Sequence, residues 1–473
     1  MTANKTGFLD RYFGISESGS NIRTEVIAGI TTFVTIAYIL VLNPQILSDP
    51  YVITGDTAMA AKLSNGVFIG TCIASFVGTI LCALYARTPY AQAPGMGLNA
   101  FFAYTVVLTM GYTYSQSLAV VFISGLLFIF ITAVGLREAI IAAIPDCVKT
   151  SITPGIGLFI TIIGLKNSGI VVSNSATLVS MVDFAQWLVP GADTTGICSA
   201  IVCLFGLLVI GILYIKNVKG SIFIGIIAAT LFGIPLGVTS LDGISFNIGS
   251  KFRDFAEVSL LNMDFAGLFT GNGLLDSIFA AFMLILSFSL VNMFDSIGTL
   301  LGAAKQGNMV KENGEVPHMK EALMADAIST AAGAMLGTST VTTVVECSAG
   351  IAAGGRTGFT SLVTALLFLA ALILAPVVGI IPGAATASAL IFVGILMLAN
   401  ICDVDMRNME EALPAFCTVV FMPFTYSIAN GIAVGLIVYC LLRLFTGKAR
   451  EIKPLAAIVS VVFVIRYAFM TLG

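Results

Sequence analysis

Charged residues are scarce in this sequence: they make up 10% of its 473 residues, while hydrophobic residues make up 58%. A soluble domain normally has about 25% charged residues, so this composition excludes an ordinary soluble protein. Many apolar runs reach the ~20 residues that a membrane-spanning helix needs. We therefore predict an all-α integral membrane protein, with the lipid bilayer as its surroundings.

Several signatures of other protein classes are also missing. The net charge is −3 and there is no basic tract, so no nucleic-acid partner is expected. The nine cysteines include no CxxC pair, which argues against a disulfide framework and against a zinc site. No HExxH, GxSxG, Walker A or Rossmann motif occurs in a supporting context. We therefore expect no enzyme activity, no cofactor and no metal site.

Histidine is nearly absent. The single one, His318, falls in a polar stretch between two predicted membrane segments, where solvent would surround it. A protein of this kind could carry protons across the membrane only on its carboxylates.

The apolar runs predict fourteen membrane segments, here called segments 1 to 14. In order they are Thr24–Leu42, Gly66–Tyr85, Leu98–Met110, Ser117–Gly135, Val148–Leu165, Gly196–Tyr214, Ser221–Phe232, Leu275–Ala303, Met319–Leu336, Val345–Ala353, Gly358–Val378, Ala385–Asn400, Glu411–Tyr426 and Asn430–Phe445. Of the 22 Lys and Arg residues, four fall in loops on the side opposite the N-terminus, namely Lys62, Lys166, Lys251 and Arg253. Basic residues concentrate in cytoplasmic loops, so the N-terminus is predicted to be cytoplasmic. The tail Leu455–Met470 could span or lie at the interface, and Arg466 within it favours the interface. Both termini are cytoplasmic if this tail does not span.

Two membrane segments are interrupted by residues that break helices. The stretch Thr88–Asn99 holds two prolines and two glycines, and Thr338–Val345 consists of Thr and Val apart from Ser339. We predict that both stretches are short extended pieces, paired antiparallel, just before segments 3 and 10. The breaks occupy matching positions in two halves of seven segments each. Because seven is an odd number, the second half must be inverted in the membrane relative to the first, so the halves form inverted repeats. Such breaks point to the binding site of a transporter.

Two carboxylates lie where the composition indicates hydrocarbon, at a cost of at least ~2.5–3.5 kcal/mol each. Glu346 begins the half-helix after the second break; it either binds the substrate or only caps that helix. Asp295 shares one face of segment 8 with Asn292 and Thr299. It either contacts the substrate or forms a buried polar contact between helices.

Other polar and aromatic residues near the breaks are weaker candidates for the site. Asp326 in segment 9 either acts directly or makes a structural hydrogen bond. Asn99 and Gln92 either contact the substrate or support the backbone, and Phe392 either borders the substrate or packs in the core. Thr32 belongs to a threonine cluster in segment 1 that either joins helices or lines the site.

Three motifs resemble the nucleobase–cation symporter-2 family, and within it the AzgA-like purine branch. They are APGMGLNA at Ala93–Ala100, FDSIGTL at Phe294–Leu300 and GTSTVTTVVECSAGI at Gly337–Ile351. The resemblance extends over nearly the whole chain. It implies proton-driven import of adenine, guanine or hypoxanthine across the inner (cytoplasmic) membrane, by alternating access.

The resemblance also implies a division into a core domain (segments 1–4 and 8–11) and a gate domain (segments 5–7 and 12–14). On this basis the core is 1–136 and 275–378, the gate is 137–233 and 379–446, an extracellular segment is 234–274, and the C-terminal tail is 447–473.

In uracil-transporting members of the family, carboxylates of segments 8 and 10 bind the base, and these positions fall on Asp295 and Glu346. An aromatic residue near the base falls on Phe392. Those members have a histidine where this chain has Thr299, so no role of that histidine transfers.

Chemistry supports the same substrate class independently, because a carboxylate offers two acceptor oxygens to the N–H edge of a purine. The proton is expected on Asp295, Glu346 or Asp326, and Asp295 is preferred because its helix supplies no basic partner. One rival is an anion transporter of the same inverted-repeat architecture, whose substrate the two carboxylates would repel. A channel or a membrane scaffold is the other. The preferred purine, the proton stoichiometry and a homodimer stay open.

Overall fold

A computed structural model describes residues 8–135, 144–174, 177–189, 194–240, 248–269, 274–306, 309, 316–375 and 380–470. Within these ranges the chain is mostly helical, as predicted. The α-helices in chain order are α1 (Phe8–Phe13), α2 (Ile22–Ile36), α3 (Ile39–Ile53), α4 (Thr57–Leu81), α5 (Met96–Ala100), α6 (Tyr114–Val134), α7 (Asp146–Asn167), α8 (Thr195–Ile215), α9 (Ser221–Gly233), α10 (Ile248–Val258), α11 (Leu274–Gln306), α12 (Met319–Met335), α13 (Cys347–Ala352), α14 (Gly358–Ala370), α15 (Gly383–Leu398), α16 (Met409–Phe424), α17 (Ile428–Phe445) and α18 (Pro454–Met470).

Several of these helices continue in a different helical form. π-Helical turns extend α4 over Cys82–Ala86 and α5 over Phe101–Thr109. The strands are β1 (Gln92–Pro94), β2 (Val171–Asn174), β3 (Leu178–Met181) and β4 (Val341–Thr343). β1 pairs with β4, and β2 forms a hairpin with β3. The hairpin and α10 lie in connections for which no regular structure was predicted.

Polar residues at the ends of apolar runs fix where helices begin and stop. At the start of α6, the Thr113 hydroxyl accepts a hydrogen bond from the Gln116 N–H at 3.2 Å, and the Gln116 side chain accepts one from the Thr113 N–H at 2.9 Å. At its end, Gly135 adopts a left-handed conformation with φ 75°. The residues between these caps are almost all apolar, so α6 can lie within a bilayer.

Among the described residues, seven helices are long and apolar enough to cross a membrane, and five apolar helices are shorter. The short ones include α5 with its π-helical extension, Met96–Thr109, and α9, Ser221–Gly233. Counting only the described helices that are long enough to span therefore gives fewer than the fourteen predicted segments. The first predicted segment is longer than expected, because α2 and α3 together run to Ile53 with a break between them.

The helices pack into two groups. The first helix group consists of α2–α6 and α11–α14, with α10 lying on α4. The second helix group consists of α7–α9 and α15–α17. Contacts between the groups are fewer and include α5 with α7, α9 with α2, and α3 with α15. The paired strands β1 and β4 lie inside the first group, so the predicted binding region is held by that group.

The tail helix α18 packs antiparallel along α17. Near its start, the Ser460 hydroxyl lies 3.2 Å from the Cys440 sulfur, and near its end the Tyr467 hydroxyl donates to the Asn430 side chain at 3.1 Å. Because α17 is long and apolar enough to span, this packing favours the spanning alternative for the tail over the interfacial one that Arg466 suggested. The orientation of the tail in the membrane stays a prediction.

Apolar packing holds the tail helix against its neighbours. Phe463 of α18 is buried in a cluster with Ala433 of α17 and Met283 of α11. That contact buries apolar surface along the middle of α18.

Candidate substrate site

The two interrupted stretches meet as a pair of short strands, which confirms the predicted antiparallel pairing. Gln92 lies opposite Thr343 in the register of β1 and β4. The Gly95 N–H extends the ladder by donating to the Thr340 carbonyl at 3.2 Å. Every residue of both strands is buried. Backbone that is neither helical nor exposed to lipid is tolerated at membrane depth when protein surrounds it in this way.

Each strand leads directly into a half-helix. β1 is followed by α5, which starts at Met96, and β4 is followed by α13, which starts at Cys347. Because the strands are antiparallel, the two half-helices begin at opposite ends of the strand pair. The N–H groups of a first helical turn have no partner within the helix. At the start of α13, however, the N–H groups of Cys347, Ser348 and Ala349 donate to the carbonyls of Val344, Val345 and Glu346. Among the described residues, free donors beside the strand pair are therefore those at the start of α5.

Glu346 occupies the N-cap position of α13, but its side chain makes no capping hydrogen bond. Its Oε1 instead accepts a hydrogen bond from the Tyr38 hydroxyl at 2.5 Å. Glu346 is partly accessible, and the preceding Val345 is 57% exposed although Val344 is buried. The chain therefore reaches an opening at this point. Of the two alternatives for Glu346, simple capping is not what its side chain does here.

Asp295 lies at the other half-helix. A Cβ placed on Gly95 would be 3.7 Å from Asp295 Oδ2, so the carboxylate faces the residue just before α5. Asp295 is partly accessible, whereas its neighbours on the same face, Asn292 and Thr299, are buried. Within the described part of the chain, no hydrogen bond or ion pair reaches the Asp295 side chain. Its oxygens are therefore available to a ligand.

Asp326 is fully buried and holds the strand pair to the neighbouring helices. Its Oδ1 accepts from the Thr343 N–H at 2.7 Å and from the Thr342 hydroxyl at 3.0 Å. Its Oδ2 accepts from the Ser296 hydroxyl of α11. These bonds favour the structural alternative for Asp326. The carboxylate is also close enough to Asp295 for their charges to interact.

Asn99 lies in a buried polar cluster beneath the strands. Its amide donates to Asn43 Oδ1 at 2.5 Å, and its oxygen accepts from Ser339. Asn43 in turn donates to Thr71 at 2.7 Å and to Thr338 at 2.8 Å. This arrangement joins α3, α4 and α5 to the residues before β4. It favours backbone support over substrate contact for Asn99.

Gln92 is anchored through its backbone. Its N–H donates to the Thr79 hydroxyl at 3.0 Å, and that hydroxyl donates to the Gln92 carbonyl at 3.1 Å. The side chain is buried against Gly78 of α4. The backbone contacts are those of a supporting residue, and a contact with substrate stays a prediction.

The remaining candidates lie at contacts between helices. The Phe392 ring packs edge-on against Tyr214 within the second helix group, with ring centroids 5.1 Å apart. Thr32 is buried against Gly350 of α13. The sequence did not single out Tyr38, Asn43 or Ser296 as parts of the site. They contact the predicted residues from helices far away in the chain, so no local pattern could have identified them.

His318 fits its predicted surroundings. It lies in a turn before α12, its side chain is 54% exposed, and its Nδ1 is 4.0 Å from a carboxylate oxygen of Glu321.

Comparison with known proteins identifies the family. The family model described as Permease family (Xan_ur_permease) matches residues 23–450. This chain belongs to that permease family, the nucleobase–cation symporter-2 family. Guanine/hypoxanthine permease PbuG of Bacillus subtilis is 41% identical over 98% of this chain and 100% of its own. Adenine permease AdeP of Escherichia coli is 39% identical over 98% of this chain and 97% of its own.

Solved structures share the fold of this symporter-2 family member at low sequence identity. The transmembrane domain of the cyanobacterial bicarbonate transporter BicA superposes with a TM-score of 0.61 and 15% identity, over 88% of this chain and 97% of its own. The murine Solute Carrier 26 family member A9 anion transporter gives a TM-score of 0.56 and 12% identity, over 94% of this chain and 73% of its own. At such identities the likeness shows the fold and not the substrate.

Proposed function

We propose that this protein is a secondary active transporter that imports purine nucleobases, namely adenine, guanine and hypoxanthine, across the cytoplasmic membrane. The observation that carries the proposal is the placement of Asp295 and Glu346. They are partly accessible carboxylates at the starts of two half-helices, beside strands that are otherwise buried. The names of the full-length relatives AdeP and PbuG support the substrate class.

The chemistry of the two carboxylates suits a flat, uncharged base. Each carboxylate supplies acceptor oxygens for N–H donors at the edge of a purine. Free N–H groups at the start of α5 can donate to its ring nitrogens or carbonyl oxygen. Glu346 and Asp295 are therefore the proposed binding residues, with Thr299, Gln92, Phe392, Asn99 and Thr32 as supporting positions.

The rival function is transport of an anion, as in the bicarbonate transporter whose fold this chain shares. An anion site would need half-helix N-termini that no acidic group opposes, or a cation in the site. Here Glu346 begins one half-helix and Asp295 faces the start of the other. Two carboxylates in those positions would repel an anion, so the site favours a neutral base.

Alternating access is the proposed transport cycle. The first helix group would act as the core domain that carries the substrate, and the second as the gate domain against which it moves. The chain would then form two inverted repeats of seven segments, with the N-terminus in the cytoplasm. Proton symport is proposed because Asp295, Glu346 and Asp326 form a carboxylate cluster beside the site, and Asp295 is the proposed proton carrier.

Competition for uptake tests this proposal. Cells expressing the protein take up radiolabelled hypoxanthine, and unlabelled adenine, guanine, xanthine, uracil or sulfate is added in excess. Purines are expected to compete and sulfate is not. A protonophore should abolish accumulation without removing binding. Uptake that sulfate inhibits and adenine does not would overturn the purine assignment in favour of the anion transporter.

A further inference from the structure

The break between α2 and α3 places one tyrosine beside the candidate site. α2 ends at Ile36, α3 begins at Ile39, and the Ala37 N–H still bonds to the Phe33 carbonyl at 2.8 Å. Tyr38 lies at this break and is 1% exposed. Ala37 and Tyr38 keep helical backbone angles, so the break is a local irregularity within one long apolar run.

The Tyr38 hydroxyl donates to Glu346 Oε1 at 2.5 Å. Within the described ranges, this is the hydrogen bond that Glu346 receives from another side chain. Holding a free glutamate side chain in one orientation restricts rotation about several bonds, and this loss of conformational entropy opposes binding. Anchoring Oε1 removes much of that cost before substrate arrives and leaves Oε2 as the acceptor proposed for the base.

We propose that Tyr38 is a positioning residue for purine recognition, which orients Glu346 so that its second oxygen meets a purine N–H. This inference rests on the proposed function, because it requires that Glu346 binds the base. Tyr38 acts through Glu346 and does not itself contact the substrate. Its loss should therefore weaken purine binding while leaving the movement of the two helix groups intact.

Tyr90 provides a matched control. It is a second fully buried tyrosine in the same hydrophobic core cluster, just before β1. Its hydroxyl has no hydrogen-bond partner in the described part of the structure. Tyr90→Phe and Tyr38→Phe each remove one hydroxyl oxygen from the interior. Any difference between their affinities for hypoxanthine therefore reports the effect of the hydrogen bond to Glu346.

A double-mutant cycle tests the proposal on the purified full-length protein. The dissociation constant of hypoxanthine is measured by calorimetry for Y38F, E346Q, Y38F/E346Q and Y90F, together with KM and maximal uptake rate in proteoliposomes. Residues that act as one unit show strongly non-additive effects. We expect Y38F to weaken binding about tenfold, consistent with a bond to a charged group, with the maximal rate within about twofold. The double variant should bind no more weakly than E346Q, and Y90F should bind like the unsubstituted protein.

The possible failures are distinguishable. If E346Q binds hypoxanthine normally, the proposed site is wrong and this inference falls with it. If E346Q is impaired while Y38F matches Y90F, or if the two effects multiply in the double variant, Tyr38 has no positioning role and the site stands. If Y38F does not fold, a second measurement tests the proposal on protein with isotope-labelled tyrosine. It is the infrared difference spectrum that hypoxanthine binding induces. A tyrosine C–O band that E346Q shifts supports the proposal, and tyrosine bands that E346Q leaves unchanged overturn it.

Discussion

The Asp326 carboxylate accepts a hydrogen bond from the backbone N–H of Thr343 at 2.7 Å. A helix side chain thus satisfies a backbone donor of the short strand that leads into Glu346. With the bonds from Thr342 and Ser296, it fixes β4 relative to α11 and α12. The position of the candidate site therefore depends on a carboxylate buried beneath the strands.

Asp326→Ala should destabilise the protein, because it leaves buried donors without an acceptor. Each unpaired buried donor costs about 1–3 kcal/mol, so the unfolding temperature in detergent should fall by several degrees. Asp326→Asn retains one acceptor oxygen, so its unfolding temperature should lie between those of Asp326→Ala and the unsubstituted protein. Ser329→Ala is the control, since that hydroxyl donates to the Ala325 carbonyl of its own helix. An Asp326→Ala protein as stable as Ser329→Ala would contradict the role of Asp326 in holding β4.

Gly97→Ala should impair transport through a contact between the two helix groups. A Cβ at Gly97 of α5 would overlap the Ile156 side chain of α7. The extra methyl group should push the half-helix away from the second group, and we expect the maximal uptake rate to fall at least fivefold with normal membrane insertion. Gly211→Ala in α8 is the matched control, because a Cβ there meets open space. Equal uptake by both variants would show that this contact does not limit the cycle.

Asn167→Ala should open one end of the boundary between the helix groups. Asp49 of α3 accepts hydrogen bonds from Tyr104 at 2.5 Å and from Asn167 of α7 at 3.2 Å, so these residues join the groups there. In the proposed orientation this is the extracellular end. A cysteine at Val345, beside Glu346, should then react several-fold faster with an impermeant thiol reagent added outside cells.

This accessibility experiment needs two precautions. Cys402 is exposed and is first replaced by serine. Asn65→Ala serves as control, because Asn65 bonds to Asp254 at 2.9 Å within the first helix group and its loss separates no groups. If Asn167→Ala and Asn65→Ala change the labelling of Val345→Cys equally, the Asp49 contact does not control access.

The features predictable from sequence are those with a local pattern. Helix-breaking Pro94 and the Thr/Val run around Val341 predicted two extended pieces, and their matching positions in the halves predicted that they pair. The same logic located Asp295 and Glu346, since a charge in an apolar run is visible without a structure. Tyr38 had no such signal: it lies in an apolar run, and its partner is 308 residues away.

The tail helix shows a different limit. Arg466 suggested an interfacial helix because a charge opposes insertion. The packing of Phe463 against α17 and α11 was invisible in the sequence, since it depends on which helix faces meet. The local charge and the tertiary packing thus favour different orientations of the tail, and a topology measurement decides between them.

The topology of the tail can be measured directly. With α18 antiparallel to α17, a cysteine at Met470 should react with an impermeant thiol reagent from the same side as one at Ser173 in the exposed β2–β3 hairpin. A cysteine at Lys448 should react from the opposite side. In the proposed orientation, Met470→Cys and Ser173→Cys label from outside in intact cells, after replacement of Cys402. Labelling of Met470→Cys only after cell lysis would contradict a spanning tail.

Asp295→Asn should separate binding from proton coupling. Asp295 receives no hydrogen bond or ion pair within the described residues, and the charges that act on it are those of the Asp326 and Glu346 carboxylates. A proton on Asp295 would cancel a charge that resists movement of the first helix group through the membrane, and its release on the alkaline side would restore that charge. Asparagine is permanently neutral, so the cycle should continue without a proton. Purine exchange between the two sides of proteoliposomes should persist, and accumulation driven by an imposed pH gradient should be lost. Asp254→Asn, in the outer helix α10, should retain both activities. If Asp295→Asn still accumulates hypoxanthine in response to the gradient, Asp295 is not the proton carrier, and the same pair of measurements then decides between Asp326 and Glu346.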